Sequence, residues 1–532
     1  MPSTTGPVGR AVAIAFGVVA LAASLIVIPA VARAGGGIAP SPVRERSRPT
    51  TPELIARAVA AGRISQADGA RYLTWAFTAP ARVPAAYRSD TPWDGTLPLL
   101  SLTQSVATLP PGPDLATVRA GIARLTTLPC NSASSRLPDR NSTKHFFIEF
   151  DRAKLRGVMI GGYGAALETT WRTEVGRFRW PAPPKDPREP VPGGRYLARI
   201  QALPSYLYGY VTGTHFVGNN PSTAWNDRDA YASCMVLNQN MAHFGKPLGA
   251  MRATVAHEFN HSLQFGMGAL TGPTNVKPVW VEGGATWMED EVFTGSNDNY
   301  NYLASNYPDL RTPMPLFEPS FPYPYWVVFR AMTEQYGGTG TAHGGQRIMR
   351  FFWEELSKNV ATNTDAFKAA FRSVDSSLAT AYHNAGIALR FQMPCAPGGT
   401  HRPYCLKEAN GYRRVHGANA DDATAGMGTP LSGSIANDFA TMWVGLPITG
   451  PYPVTLSVTQ GVGMLKTSIV CREGTKLIVL DIGTATSGGA RHVPDYSTTG
   501  CDEVTAVISN VKETSPSPKR KTVTNYTLDL GP

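Results

Sequence analysis

The stretch Val255-Ala256-His257-Glu258-Phe259-Asn260-His261-Ser262-Leu263-Gln264-Phe265 decides how the rest of this 532-residue chain is read. No proline interrupts Leu248 to Phe265, and Met251, Val255 and Phe259 recur at four-residue steps, so a helix is expected there. On a helix, residues i and i+4 stand one turn apart on the same side, which lets His257 and His261 reach one ion together. Two neutral imidazoles from one turn make a stiff half-site for zinc. Glu258, next to the first histidine, is placed to accept a proton from an attacking water rather than to bind the metal. At 100° per residue His257 lies about 200° round from Val255, so the metal face and the packing face of the helix are distinct. An H-E-x-x-H match arises by chance in about one chain in a hundred of this length, and a catalytic zinc needs a third protein ligand as well.

That third ligand is sought in Trp280-Val281-Glu282-Gly283-Gly284-Ala285-Thr286-Trp287-Met288-Glu289-Asp290-Glu291, a second helical pattern in which Glu282 follows His261 by twenty-one positions. Here the chain resembles the gluzincin zinc peptidases, in which a glutamate on the next helix completes the HExxH pair. The run from His145-Phe146-Phe147-Ile148-Glu149-Phe150-Asp151 through HEFNHSLQF and WVEGGATWMEDE to Tyr323–Gly337 is similar to secreted bacterial metallopeptidases of that clan, over about residues 142–392. The resemblance implies His257, His261 and Glu282 as zinc ligands and Glu258 as general base. It also points to the aromatic run Tyr323-Pro324-Tyr325-Trp326 for an oxyanion donor, Tyr323 first and Tyr325 second, with core packing as the competing role for either.

Departures narrow the branch. A metzincin needs glycine at 264 and histidine at 267, where the chain has Gln264 and Met267. Gly249-Ala250-Met251 matches part of the aminopeptidase amine-binding motif, but Arg252 and Ala253 stand where that motif has Glu-Asn, which disfavours an exopeptidase anchored on the substrate amine. Thr286 stands where thermolysin-like enzymes carry the aspartate that orients a histidine, leaving that partner unassigned; Glu289 is expected to line the cleft or cap a neighbour.

Working outward, an α+β chain is expected, with a zincin-like peptidase domain over 142–392 and an all-β sandwich-like domain over 393–532. HFFIEFD, GRYLARIQAL, YGYVTG and YASCMVLNQ read as strands, the last as an edge along which an extended peptide aligns. GYGAALETTWRTEV reads as a helix and RWPAPPKDPREPVPGG as a proline-rich loop. Helical signals fill 323–392. Beyond Cys405 come short alternating runs divided by Gly, Pro and Ser, including FATMWVGL, YPVTLSVTQ, TSIVCR, KLIVLDIG, EVTAVISNV and TNYTLDL. Residues 35–141 form an N-terminal helical and irregular region. It opens with a polar linker (35–50) and two short helices split at Ala61-Gly62, with Thr51 as cap. From 80 to 143 it is too rich in Pro, Ser and Thr to assign, and serves either as a wrapping arm or as a removable pro-segment.

Residues 1–34 carry Arg10, an apolar run and Ala32-Arg33-Ala34, the pattern of a secretory signal cleaved after Ala34; an uncleaved anchor is the alternative. Six cysteines suit an exported chain. Locality pairs Cys395 with Cys405 and Cys471 with Cys501, leaving Cys130 and Cys234, although six cysteines allow fifteen pairings. The net charge of +10 comes from scattered arginines, with one tight run at Lys519-Arg520-Lys521, so no nucleic-acid groove is expected. Nothing after the leader is apolar enough to insert stably in a membrane. Asn297 to Asn301 reads as a solvated loop in preference to a calcium site. The expected function is a secreted hydrolase that uses Zn2+ to cleave a polypeptide substrate. The alternative is a catalytically silent shell that binds a cell-wall or protein partner through its β domain; intact His257, Glu258, His261 and Glu282 weigh against it.

Overall fold

A computed structural model describes residues 49–130, 137–188, 191–268, 270, 276–303, 308–314, 322–337, 345–358, 362–395, 402–412, 421–512 and 522–531. The expected leader and the Lys519–Lys521 run lie outside the described residues. Helix and strand both contribute heavily (42% and 26%), as an α+β chain requires.

Four helices come first: α1 (Thr51–Ala60), α2 (Gln66–Thr78), α3 (Thr96–Ser105) and α4 (Pro113–Cys130). The cap of α1 is Thr50, one residue before the expected Thr51. Counting from Thr50 puts Glu53 at the third helical position, where its carboxylate accepts from Thr50 N at 2.7 Å and closes a capping box. Ser65 and Asp68 repeat the device on α2. Helices α3 and α4 fall in the stretch whose composition hid them.

Next comes a five-stranded sheet of β1 (Asp139–Ser142), β2 (Phe146–Phe150), β3 (Tyr196–Gln201), β4 (Gly209–Gly218) and β5 (Ala230–Asn238). The spatial order is β1-β2-β3-β5-β4. The three middle strands run parallel, and β1 and β4 pair antiparallel at the two edges. Strand β5 was expected at the edge and lies inside; β4 is the edge. The reason is visible in β5 itself. Met235 and Leu237 belong to one core and Cys234 and Val236 to another, so both faces are covered and the strand reads as a continuous apolar run. The N-terminal layer supplies one of those covers, through Ile55, Phe77, Leu99 and Leu125 of its helices and Trp93 of the segment ahead of α3.

The other face carries α5 (Ile160–Trp171), which passes into a π-helical turn at Arg172–Arg177, then α6 (Pro247–Gly266) and α7 (Pro278–Phe293). Beyond them follow α8 (Tyr300–Leu303), α9 (Trp326–Thr333), α10 (Gln346–Ser357), α11 (Asn363–Arg372) and α12 (Leu378–Phe391). Trp280 of α7 sits among Phe329, Phe352 and Phe367, with ring centroids 4.9–5.2 Å apart, which locks α7 against α9, α10 and α11.

After the short parallel pair β6 (Met393–Pro394) and β7 (Cys405–Leu406) comes one helical turn, α13 (Ala409–Tyr412), and then, among the described residues, strands alone: β8 (Ala423–Thr424), β9 (Leu431–Ala436), β10 (Ala440–Leu446), β11 (Tyr452–Gln460), β12 (Met464–Glu473), β13 (Lys476–Thr486), β14 (Ala490–Tyr496), β15 (Glu503–Asn510) and β16 (Val523–Asp529). They form two sheets, β13-β12-β15-β10-β8 and β14-β11-β16-β9, with Val444, Ile469 and Ile508 of the first sharing one apolar cluster with Leu456, Val458 and Leu528 of the second. Strands β9 and β14 had no reading in the sequence. The first sheet also docks on α12, where buried His383 meets Ser468 Oγ at 2.8 Å and Ser509 Oγ at 2.9 Å. Disulfides join Cys130–Cys234, Cys395–Cys405 and Cys471–Cys501, as locality and elimination expected, and suit an oxidising environment. Among the described residues no helix is long and apolar enough to cross a membrane.

Candidate metal centre

Helix α6 is enclosed almost throughout, from Ala250 to Gly266. Its apolar stripe behaves as expected: Phe259 packs edge-on against Phe146 and Tyr196 of the sheet. The opposite side carries His257 and His261, with ring centroids 4.7 Å apart, facing α7. The two helices run in opposite directions, so His261 meets Glu282 near the start of α7 while His257 reaches further along it. Glu282 Oε2 lies 3.0 Å from His257 Nε2 and 3.5 Å from His261 Nε2. One ligand atom from each of His257, His261 and Glu282 falls within 4.8 Å of the others, and all three residues are buried. They form the group, among the described residues, that could hold a metal ion.

The donor set fits such an ion. Ligand atoms bound tetrahedrally to zinc at 2.0–2.1 Å stand roughly 3.3 Å apart, close to the spacing found here. Among the described residues His261 Nε2 and Glu282 Oε1 have no hydrogen-bond partner although both are buried, and Glu258 Oε1 shares that state. Orphaned acceptors in a dry site are costly without a cation to face.

Each imidazole is held from behind. A cation held at Nε2 would favour the ionised form of Glu289, which can only accept, so His257 Nδ1–H would donate to its Oε1 at 2.8 Å and leave Nε2 for the metal. His261 Nδ1–H donates to the Gln264 carbonyl oxygen at 2.8 Å. The Gln264 amide donates in turn to Asn260 Oδ1 at 2.9 Å, and the Asn260 amide to Glu174 Oε2 at 3.0 Å. Glu174 sits in the π-helical turn, the kind of local irregularity that often marks a site. Glu289 thus serves a neighbour, His257: seven residues beyond Glu282 it lies on the same helix face, and the antiparallel crossing brings His257 to it. Its spacing carried that signal. Gln264, used in the sequence only to exclude a branch, carried a second one three residues after His261.

Charge at the site is concentrated. Burial works to raise the Glu282 carboxyl, but the His261 and His257 imidazoles outweigh it and hold it at about 2. Burial pushes Glu289 up to about 8 against the pull of His257. Burial also drives Glu258 well above the usual carboxylate range, with His257 opposing. Glu258 Oε2 accepts from Thr96 Oγ1 at 2.8 Å.

Of the two tyrosines, Tyr323 comes to the site. Its ring lies 6.0 Å from that of His257 and stacks on Tyr302 at 4.9 Å. Tyr325 joins the main apolar core instead. Tyr302, Asp94 and Thr96 had no reading in the sequence; Tyr302 OH donates to Asp94 Oδ2 at 3.3 Å. In the Asn297–Asn301 segment Asn297 and Asn301 are exposed, as a solvated loop expects, while Asn299 between them is buried and its carbonyl accepts from Trp326 Nε1 at 3.2 Å. Compared with known proteins, the chain matches no family model and no curated protein.

Proposed function

We propose that this chain is a secreted zinc peptidase of the gluzincin type, with a zincin-like unit carrying the site and the two-sheet C-terminal unit forming a sandwich beside it. The observation that carries the reading is the convergence of His257, His261 and Glu282 with Glu258 in one buried place, two of the four keeping an orphaned oxygen and one an orphaned nitrogen. A binding shell has no use for Glu258 there. A bound zinc ion would supply a Lewis acid that polarises the scissile carbonyl and lowers the pKa of water.

The chain's residues supply the rest. Glu258 takes the proton of the attacking water and passes it to the leaving amine; burial raises its basicity above that of an ordinary carboxylate. Tyr323 donates to the oxyanion as it develops. Glu289 and Gln264 fix the tautomers of His257 and His261, so that both present Nε2. Polypeptide is the substrate class, because β4, once the segment paired along its start is displaced, would present an edge beside α6 to an extended chain.

Metal content and casein hydrolysis test the proposal together. One zinc per chain is expected, lost in His257→Ala and Glu282→Ala, with hydrolysis lost and zinc kept in Glu258→Gln. A chain that binds no metal, or one whose Glu258→Gln variant hydrolyses casein at the parent rate, rules it out.

A further inference from the structure

His257, Glu258, His261 and Glu282 are all 0% exposed, and one wall of their enclosure comes from the N-terminal layer. Trp93 to Thr96 lies along the start of β4 like an added strand. Trp93 N donates to Tyr206 O at 2.8 Å, Tyr208 N to Trp93 O at 3.1 Å and Gly95 N to Gly209 O at 2.9 Å. Trp93 and Leu207 pair in the parallel sense. This is the part of the edge that lies beside the general base: a Cβ on Gly209 would stand 3.3 Å from Glu258 Cγ. The backbone groups that an extended substrate would pair with here are taken by the chain's own segment.

Two side chains of that segment reach the centre. Thr96 Oγ1 accepts from Val211 N at 2.8 Å and donates to Glu258 Oε2 at 2.8 Å, tying the base to the wall. Asp94 is 2% exposed, takes its hydrogen bond from Tyr302, and lies within electrostatic reach of His257, Glu282 and His261. The segment is wedged in place. Trp93 stands edge-on to Phe77 at 4.9 Å. A Cβ on Gly95 would meet Phe77 Cε1 at 2.9 Å, Gly209 O at 3.0 Å and Leu207 Cδ1 at 3.0 Å.

We propose that Trp93–Thr96 is a built-in plug that keeps the centre latent, occupying the β4 edge through its backbone, holding Glu258 through Thr96 and setting the Asp94 side chain within electrostatic reach of the metal ligands. The word latent rests on the peptidase reading; closure over the metal group does not. A release route exists in the covalent structure. The stretch Pro110–Pro113 is exposed, and the Cys130–Cys234 disulfide anchors α4 to β5. Hydrolysis of one peptide bond there by a separate endopeptidase, water adding to give a new carboxylate and a new amine, would free α1 to α3 with the plug and leave α4 in place.

Gly95→Val and Thr96→Val in the full chain test this, at a temperature well below each variant's melting transition. Two quantities are measured: the rate at which a chromophoric chelator strips bound zinc, which needs no turnover, and the rate of casein hydrolysis. Gly95→Val has no room for its side chain and should lift the plug. If the intact chain is open about one part in a hundred of the time, both rates rise by up to about a hundred-fold. Thr96→Val removes both the acceptor for Val211 N and the tie to Glu258, so the segment is held less firmly and both rates rise, by less than in Gly95→Val. Unchanged stripping and hydrolysis in Gly95→Val overturn the plug and leave the peptidase standing. Faster stripping with no hydrolysis in any form keeps the plug and removes the peptidase. A fall in hydrolysis in Thr96→Val makes Thr96 a positioning residue of the working site and overturns the plug, whether or not Gly95→Val folds.

Discussion

Replacing Glu289 should weaken the metal without removing a ligand. Its Oε1 accepts from His257 Nδ1–H at 2.8 Å inside a site where both residues are buried. A hydrogen bond to a charged group contributes about 1.5–3 kcal/mol, and 1.4 kcal/mol is a factor of ten, so Glu289→Ala should raise the zinc dissociation constant about 10- to 100-fold. Glu289→Gln keeps an amide oxygen of the same reach to accept from Nδ1–H and loses the charge, so about a few-fold is expected. Glu282→Ala removes a ligand and should cost at least about a thousand-fold, since its carboxylate faces both imidazoles. Competition against a chromophoric chelator of known affinity, run on all three purified variants, gives the three constants. A ranking with Glu282→Ala weakest, Glu289→Ala intermediate and Glu289→Gln near the parent supports the assignment. Parent affinity in Glu289→Ala shows that the carboxylate does not orient His257. Complete metal loss in Glu289→Ala with retention in Glu282→Ala makes Glu289 the third ligand.

Chelation of the metal should lower the melting temperature, because zinc at about a thousand times its dissociation constant adds about 4 kcal/mol to the folded state; a melt unaffected by chelator contradicts a bound ion. Acid should loosen the junction between α12 and the β unit through His383, whose imidazole burial holds down at about 3. The unfolded chain binds a proton there below about pH 6.5 and the native one does not, so stability is constant above 6.5 and falls as pH drops, by about 2 kcal/mol at pH 5. Urea titrations at pH 7.5 and pH 5 should show that loss reduced in His383→Gln, and an equal loss in both chains removes His383 as the cause. Replacing Cys130 and Cys234 by serine opens a loop of 104 residues and should cost up to about 5 kcal/mol, read as a lower melting temperature; an unchanged melt means the N-terminal layer is held by packing alone.

What the sequence made legible was local. HEFNH announces a helix, a pair of histidines on one side and a base beside them, because helical spacing fixes those relations within two turns. Glu282 was reachable through its sequence context, and Tyr323 through its place ahead of α9. The contributions that were hidden all cross between elements distant in the chain. Glu289 could be set on the Glu282 face from its spacing, yet its bond to His257 depends on the crossing of α6 and α7, which no local pattern records. Thr96 lies 162 positions from the Glu258 carboxylate it touches, within a Pro-, Ser- and Thr-rich stretch that gave no periodicity. The misplacement of β5 has the same origin: an apolar run shows that both faces are covered, but not that β4 is the strand left outside.

The most direct test of the account is the rate at which new amino termini appear in casein, measured with zinc-loaded protein with and without Glu258→Gln, in the intact chain and in the Gly95→Val background. The account predicts zinc at one per chain in all four proteins, and hydrolysis lower by orders of magnitude wherever Glu258→Gln is present. Equal hydrolysis with and without that substitution, or one bound zinc with no hydrolysis in either background, contradicts it.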